Sequence, residues 1–195
     1  MIGVKFKKGF TLIEMLVAVS IFTIASLAAT DLYIASNRAQ RAVRAREKLQ
    51  NEARVAMEYM AREGRAGVVD YASYGGGVPI GGNELKLIDR EGNSELFKLS
   101  SGAGECSPSS HPCLLVCDAL DCSPLTSKNI FADELKFYIA PLADPFLFNP
   151  VSGEYAANLA PRITIFFKMR TASNLPEENA ELTAQTTVTS RAYKR

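Results

Sequence analysis

The stretch that decides the fold is KKGFTLIEMLVAVSIF, residues 7–22 of the 195-residue chain. Gly9 leads into an apolar run that extends to Ala29 and contains one acid, Glu14. From Phe10 onward the run has about 20 residues, or about 30 Å of helix, which is enough to cross the hydrocarbon core of a membrane. A carboxylate in lipid costs about 2.5–3.5 kcal/mol or more, so Glu14 needs a partner.

The sequence Gly-Phe-Thr-Leu-Ile-Glu after a short basic leader resembles the type III signal of type IV pilins and type II secretion pseudopilins. In that family, prepilin peptidase cuts after the glycine and methylates the new N-terminus. The resemblance therefore implies cleavage between Gly9 and Phe10 and N-methylation of Phe10. It also implies an assembly role for Glu14, which in the family pairs with the N-terminal amine of a neighbouring subunit. Since Glu14 lies one helical turn from its own amine, the sequence leaves an intramolecular pair open.

Length and composition fit one domain plus an anchor. Hydrophobic residues make up 47% of the chain and charged residues 22%, so the part beyond the anchor can bury a core. The formal net charge is +1 and the leader holds Lys5, Lys7 and Lys8, so cleavage gives +1 − 3 = −2. Such a charge is not typical of nucleic-acid-binding proteins, and no nucleic acid is expected as a partner. A secretory signal would be cut after its apolar run rather than before it.

The helical pattern continues beyond the apolar run. Residues 37–66 are rich in strong helix formers, and Gly64 and Gly67 mark the predicted end. A stripe of apolar residues at helical spacing predicts packing under a globular head rather than a coiled coil. The stripe consists of Leu49, Ala53, Ala56, Met57 and Met60.

The remainder of the chain alternates in the manner of β-strands. The predicted fold class is therefore α+β: a long N-terminal helix, half membrane-embedded and half amphipathic, packed on an antiparallel sheet, as the resemblance to pilins also implies. The loop at 141–161 contains Phe146, Leu147 and Phe148, which we interpret as buried anchors rather than as an exposed contact patch. Strands are predicted at 84–89 and 94–99, at 134–140, and at 162–170 and 183–193, the first and last pairs being hairpins.

Four segments are expected. They are a leader at 1–9, a transmembrane and assembly helix at 10–30, its amphipathic continuation at 31–67, and a β-rich head at 68–195 with a cysteine loop at 106–122. Basic residues lie on both sides of the apolar run, so charge does not decide the orientation. The family and the cysteines favour a single-pass inner-membrane protein with a periplasmic or extracellular head. The expected partners are prepilin peptidase, other pilins or pseudopilins and inner-membrane lipid, and no cofactor is expected.

All four cysteines lie in one segment that is rich in turn-forming residues. An even number outside the cytosol predicts two disulfides, for which three pairings are possible. The turn-forming residues lie inside two intervals, which favours the pairs Cys106–Cys113 and Cys117–Cys122. Zinc is the rival interpretation. Gaps of six, three and four residues do not match paired Cys-x2-Cys knuckles, so no metal is expected.

The sequence offers no catalytic constellation, so the chain is not expected to be an enzyme. The single histidine, His111, lies in a Pro/Ser loop among the cysteines. There is no His-Glu-x-x-His, dinucleotide fingerprint or kinase motif set. Five acids could bind calcium, as acids do in some relatives, but they lack EF-hand spacing, and scattered solvated acids are favoured. These are Asp118, Asp121, Asp133, Glu134 and Asp144.

Two functions remain open. The first is a minor pilin or pseudopilin that assembles into, initiates or caps a type IV pilus or a type II secretion pseudopilus through its N-terminal helix. The segment QNEARVAMEYMAREGRAG, residues 50–67, resembles the region after the anchor in J-type pseudopilins and W-type minor pilins. Glu14 argues against the K-type tip subunit, which lacks that acid. The second function is a membrane-anchored tip adhesin or DNA-uptake module.

Overall fold

The computed structural model describes residues 9–75, 77–101, 105–106, 111–118, 121–151, 153–156, 159–171, 173 and 175–191. The chain forms two compact units, Met1–Arg41 and Ala42–Arg195. One long helix, α1, spans Leu12–Ala66 and contributes residues to both. Antiparallel sheets follow it, which confirms the predicted α+β class and the long N-terminal helix.

In the first unit, α1 is mostly apolar and largely exposed. Every side chain from residue 9 to residue 36 is exposed. Three hydroxyls in this stretch are satisfied within the helix itself, because Ser20, Thr23 and Thr30 each donate to the carbonyl oxygen four residues earlier at 2.8 Å. Such back-bonding satisfies the hydroxyls without water, which suits a helix in an apolar medium.

In the second unit, α1 buries the apolar stripe that its residue spacing predicts. Leu49, Ala53, Ala56 and Met60 are at most 3% exposed. Met57 is partly buried against the same core. Ala53 and Ala56, in the middle of the stripe, are small enough for the helix backbone to lie close to the core. Each fully buried large apolar side chain contributes about 1.5–3 kcal/mol relative to exposure.

Two antiparallel sheets and a short hairpin complete the second unit. The strands are β1 Val68–Val69, β2 Glu84–Ile88, β3 Ser94–Leu99, β4 Leu114–Cys117, β5 Cys122–Pro124, β6 Ile130–Ala140, β7 Phe148–Asn149, β8 Glu154–Tyr155, β9 Arg162–Thr171 and β10 Glu181–Thr189. The first sheet has the strand order β1-β2-β3-β4-β5, and the second has the order β10-β9-β6. The backbone links the two sheets where the Phe137 N–H donates to the Gly82 carbonyl oxygen at 2.8 Å.

The second sheet shows most clearly how alternation builds the core. In β9, Ile163, Ile165, Phe167 and Met169 are fully buried, while the residues between them are more exposed. Because successive strand residues point to opposite faces, the buried set joins the core that α1 also lines, and the residues between them face outward. This is the alternation from which the strand at 162–170 is predicted.

Two predicted strands have different ends in the structure. β6 begins at Ile130 rather than at residue 134, because a register shift between Ala132 and Glu134 interrupts the alternation. The predicted strand spans 183–193, of which residues 192 and 193 lie outside the described residues, whereas β10 spans Glu181–Thr189. It ends because the next residue, Ser190, is buried and its hydroxyl donates to a carbonyl oxygen beside the end of α1.

β4 and β5 are not predicted from the sequence. β4 is buried on both faces, so its residues do not alternate between apolar and polar. β5 is a three-residue strand that ends in proline and is exposed throughout. β4 pairs with β3, and β5 pairs with β4, so both segments belong to the first sheet.

Replacing Gly67 with alanine is expected to destabilise the second unit. A Cβ at this position would lie 2.9 Å from the Ile88 carbonyl oxygen and 3.1 Å from that of Glu63. These are backbone atoms that cannot turn aside, so we expect a loss of roughly 1–3 kcal/mol in unfolding free energy. Thermal unfolding of the full chain in detergent, followed by circular dichroism, measures it. Gly77→Ala is the control, since its Cβ would meet nothing nearer than 3.9 Å. Equal stability of the two variants would contradict the prediction.

Candidate functional site

The candidate processing site lies in the short segment before α1. Gly9, Phe10 and Thr11 are not helical, and all three are exposed. The Phe10 side chain is 83% exposed. Among the described residues, apart from its chain neighbours, no atom lies within 4 Å of the place where a Cβ on Gly9 would stand. The fold itself therefore does not require glycine at position 9, so any requirement for glycine must come from another molecule.

Thr11 and Glu14 form a reciprocal cap at the start of α1. The Thr11 backbone N–H donates to Glu14 Oε2 at 2.9 Å, and the Thr11 hydroxyl lies 3.1 Å from the same oxygen. The Glu14 backbone N–H lies 3.3 Å from Thr11 Oγ1. This is the capping-box arrangement, in which a threonine and the acid three residues later satisfy each other's free donors. The Thr-x-x-Glu spacing is typical of such a cap. The cap itself is not among the predictions made from the sequence.

The helix that follows could cross a membrane by length and composition. The described residues contain one such helix, and none of its most apolar 18-residue window is buried. A buried core helix would also pass a test of length and composition, but it would not be exposed over this window. A signal sequence near the N-terminus passes the same test.

Comparison with known proteins identifies the same region. A family model described as the prokaryotic N-terminal methylation motif matches residues 4–30. This range contains Gly9, Phe10 and Glu14 together with the apolar run. No curated protein and no solved structure matches the chain.

The chain thus carries a prepilin-type N-terminal motif, and its helix followed by antiparallel sheets is a pilin-like architecture. Motif and fold together support the type IV pilin and pseudopilin family. The motif implies processing by prepilin peptidase and pilin-type assembly partners in general. It suggests a structural subunit rather than an enzyme, and with the apolar helix it suggests anchoring in a membrane.

The cysteines form the two favoured pairs. Cys106 bonds to Cys113, and both are buried against Leu115. Cys117 bonds to Cys122, its direct cross-strand partner in the β4–β5 pair. The first bridge closes a loop beside the sheet, and the second closes the hairpin between the two short strands. Each bridge stabilises the fold mainly by restricting the unfolded chain.

Neither alternative metal site is assembled in the part of the chain that the structure describes. No group of three or more potential ligands among histidine, cysteine, aspartate and glutamate is close enough to hold an ion there. Of the acids considered for calcium, Asp133 pairs with Arg170 at 3.0 Å, and Glu134 pairs with Lys136. The Asp144 carboxylate accepts a hydrogen bond from the Phe146 backbone N–H at 2.8 Å.

The loop at 141–161 is more exposed than predicted. Leu147 is 64% exposed and Phe148 is 51% exposed, so the interpretation of these two as buried anchors is wrong. Phe148 packs instead against Tyr155 across the β7–β8 hairpin, with the ring centroids 5.4 Å apart in an edge-to-face arrangement. The hairpin holds both rings at the surface, which local sequence could not show.

A buried acid under α1 is a titratable group that the sequence patterns do not single out. Glu95 on β3 is 9% exposed, and it accepts a hydrogen bond from the Tyr59 hydroxyl at 3.2 Å. Burial, together with the nearby Glu63, Asp118 and Asp89 carboxylates, raises the pKa of Glu95 to about 7, although the Tyr59 hydrogen bond acts to lower it. Glu95 therefore gains a proton in the folded protein at a pH where an exposed glutamate is ionised.

The Glu95 pKa predicts that stability falls as pH rises. In the unfolded chain the glutamate has its ordinary pKa of 4.5, whereas in the fold the pKa is about 7. The folded state thus binds more protons between these values, so the stabilisation is complete below pH 4.5 and is lost as pH rises through 7. At about 1.4 kcal/mol per pKa unit, and with solvent screening reducing the effect, the loss in unfolding free energy is at most about 3 kcal/mol.

Glu95→Gln should remove this fall in stability with rising pH, which is the slope that the experiment measures. The exposed control Glu91→Gln should keep the slope. Thermal unfolding at pH 4.5 and above pH 7 tests this, and an unchanged slope in Glu95→Gln would count against the burial effect.

Proposed function

We propose that this chain is a minor pilin or pseudopilin, a structural subunit that enters a filament through its N-terminal helix. The observation that carries the proposal is the methylation motif at residues 4–30, which contains Gly9, Phe10 and Glu14 in the order that prepilin processing requires. The exposed, non-helical Gly9–Phe10 bond supports it, because a peptidase needs an accessible and extended substrate.

The proposal divides the chain by role. Residues 1–9 are the leader, residues 10–30 anchor the subunit in the inner membrane and pack in the filament, residues 31–67 continue the helix, and residues 68–195 form the head. The disulfides support a head in the periplasm or outside, since stable disulfides form in oxidising compartments.

Glu14 is the proposed assembly residue. Cleavage after Gly9 creates an ammonium group at Phe10, and the carboxylate of a neighbouring subunit's Glu14 neutralises it in the apolar filament core. A pair of opposite charges is tolerated in such surroundings, whereas either charge alone is strongly disfavoured. The pair would therefore set the register between subunits. In the isolated chain the Thr11 cap holds the same carboxylate, so the neighbour's amine competes with Thr11.

The proposed minor role rests on the resemblance of residues 50–67 to J-type pseudopilins and W-type minor pilins. The membrane half of α1 contains no proline, unlike that of many major pilins, so nothing in its covalent structure imposes a kink.

The first test is the mass of the protein purified from cells that contain prepilin peptidase. The expected species begins at Phe10 and carries one additional methyl group. A protein that keeps residues 1–9 in such cells and still functions would overturn the proposal. The same measurement in cells without the peptidase is the control, in which the full-length chain should accumulate.

The phenotype of a gene deletion distinguishes a type IV pilus subunit from a type II secretion pseudopilin. It also distinguishes both from the second candidate function. Loss of surface pili would identify a pilus subunit, and retention of secreted enzymes in the periplasm would identify a secretion pseudopilin. The exposed Phe148 and Tyr155 rings favour a tip adhesin or DNA-uptake module as the second candidate, because exposed aromatic residues are frequent at binding surfaces. Normal pili and secretion with lost attachment or lost DNA uptake would support that alternative.

A further inference from the structure

β10 is a long strand at one edge of the second sheet, whereas the other sheet edges are short or covered. It has nine residues and pairs with β9 alone among the described strands. β1 has two residues, and β5 has three and ends in proline. β6, at the other edge of the second sheet, has a register shift and a bridge between Gly82 and Phe137. Short strands, prolines and irregularities of this kind keep sheet edges from pairing with other chains.

β10 has none of these protections. Its pairing with β9 runs from residue 181 to residue 189 without a register shift. The strand contains no proline and no lysine, and its one charged residue, Glu181, stands at the first position. The Glu181 carboxylate is paired with Lys168 of β9 at 3.1 Å. In the part of the chain that the structure describes, the edge of β10 is therefore unprotected along its length.

The hydrogen bonds that flank β10 show which backbone groups face the open edge. The Thr171 N–H of β9 donates to the Ala180 carbonyl oxygen at 3.0 Å, and the Ser190 N–H donates to the Pro161 carbonyl oxygen, just before β9, at 2.9 Å. Because backbone groups alternate in direction along an antiparallel strand, the even-numbered residues bond to β9 and the odd-numbered residues point away from it. The odd-numbered residues, called the edge residues below, are Glu181, Thr183, Gln185, Thr187 and Thr189.

Arg191, the next odd-numbered residue, follows the same alternation. Its N–H donates at 3.0 Å to the carbonyl oxygen of Arg65 in α1 rather than to β9. No described residue outside β9 bonds to the backbone of the five edge residues, and all five are exposed. The open edge therefore offers backbone donors and acceptors at strand spacing, which an extended segment of another chain can match.

The side chains of β10 indicate which residues that segment should contain. Leu182 and Ala184 are partly buried against the core, and Val188 belongs to it. Residues of an added strand would stand beside them on the same face, so apolar side chains there would extend the core past the present edge. The outer face is polar, with the Thr187 and Thr164 hydroxyls 2.8 Å apart. The matching segment therefore alternates apolar and polar residues.

Charges at the two ends of β10 favour one direction for the segment. Glu181 stands at the start of the strand, and Arg162 stands opposite Thr189 at its end. Arg162 and Arg191 are exposed, and neither forms an ion pair with an acid among the described residues. An antiparallel segment would therefore fit with an acid at its start, beside the arginines, and a base at its end, beside Glu181.

We propose that the edge of β10 binds an extended segment of another protein, which joins the second sheet as an added strand. The segment is about five to nine residues long, alternates apolar and polar residues and begins with an acid. Its backbone exchanges hydrogen bonds with the edge residues, and its apolar side chains cover Leu182 and Ala184. The site lies in the second unit and does not rest on the proposed role in a filament.

A second copy of β10 fits this edge less well than such a segment does. Two β10 strands would pair antiparallel about a two-fold axis at Gln185, which would place the copy's Thr186 beside Ala184 on the core side. A threonine hydroxyl there would be buried without the water that now reaches it, whereas an apolar side chain would have no such cost.

Two isomeric peptides that differ only in their N-methyl groups test the pairing. Each begins with glutamate, continues with alternating valine and threonine, and ends with lysine, nine residues in all. When the valines lie on the core side, the threonine amides face the edge residues and the valine amides face solvent. A peptide methylated on two valine amides should therefore bind, and one methylated on two threonine amides should not.

Binding of the labelled peptides to the full-length protein in detergent is measured by fluorescence anisotropy. Saturable binding of the valine-methylated peptide alone supports the proposal. No saturable binding of that peptide up to about 1 mM, or equal binding of the two isomers, overturns it.

Gln185→Pro removes one N–H from the open edge and leaves the bonds to β9 in place, because residue 185 is an edge residue. It should weaken binding of the valine-methylated peptide by roughly tenfold or more. Gln185→Ala is the matched control, since it keeps the N–H and removes only the side chain, and its affinity should match the wild type. Unchanged affinity of Gln185→Pro, or equal weakening in both variants, would overturn the assignment. Circular dichroism shows whether Gln185→Pro is folded, and the peptide pair decides independently of it.

Light scattering of the full-length protein in detergent tests the other occupant. A monomer is the expected result. A wild-type dimer that Gln185→Pro converts to a monomer would show that a second copy occupies the edge, which would overturn the assignment to another protein.

Discussion

Replacing Gly9 with valine is expected to leave nearly all of the protein uncut in cells that contain prepilin peptidase. The structure shows open space around the Cα of Gly9, so valine does not disturb the chain itself. Any loss of cleavage must then arise where the peptidase approaches the backbone, which a side chain at this position would obstruct. Gly9→Ala adds only a Cβ and should give the mildest defect. Intact mass spectrometry gives the cut fraction for each variant.

The Gly9 series has an internal control. Gly77→Val changes a glycine in the second unit, where the nearest atom to the new Cβ would be 3.9 Å away. It should be cut as the wild type is. Circular dichroism should show the same helix content in all variants, because Gly9 precedes α1. Complete cleavage of Gly9→Val would show that Gly9 is not the recognised residue.

Replacing Glu14 with alanine is expected to leave cleavage normal and to reduce incorporation into filaments at least tenfold. Removing one member of a buried charge pair costs about 3–5 kcal/mol, because the remaining charge has no partner. The proposed cut lies outside α1 and precedes Glu14, so processing should not need this acid. Immunoblots of sheared filaments, compared with the mature protein in membranes, measure incorporation.

Glu14 also caps the helix, so two further variants separate its roles. Glu14→Gln keeps an oxygen that can accept from the Thr11 N–H but removes the charge, since glutamine also serves in a capping box. If the charge pair drives assembly, Glu14→Gln should fail as Glu14→Ala does. Thr11→Ala removes the threonine hydroxyl of the cap and keeps the charge, so it should assemble. Normal incorporation of Glu14→Gln would show that the cap, not the charge, is what assembly needs.

The sequence predicts those parts of the fold that depend on local periodicity. The stripe from Leu49 to Met60 recurs at helical spacing, and the alternation in 162–170 has one buried face, so each segment carries its own signal. The prepilin-type motif is predictable for a similar reason, since glycine, phenylalanine and acid lie within six residues of the region that the family model matches. The Thr11 cap was predictable as well, from a spacing that is equally local.

Other features depend on contacts between segments far apart in the chain. From the sequence alone, Glu95 is expected to be an outward-facing strand residue. In the structure, Tyr59 of α1 covers it. From the sequence alone, Leu147 and Phe148 are expected to be buried. In the structure, the β7–β8 hairpin places them at the surface. Alternation and composition hold no information about which distant segment covers a given side chain.

The cap formed by Thr11 and Glu14 lies entirely on the retained side of the proposed cut. Removal of nine residues would therefore leave the first turn of α1 wound, with its hydrogen bonds unchanged. After cleavage, the subunit would enter the filament with its Glu14 carboxylate already hydrogen-bonded to Thr11 of the same chain. The free energy of association between neighbouring subunits would then be the difference between the contact of Glu14 with the neighbour's amine and its contact with Thr11. A weaker contact with Thr11 would therefore favour assembly.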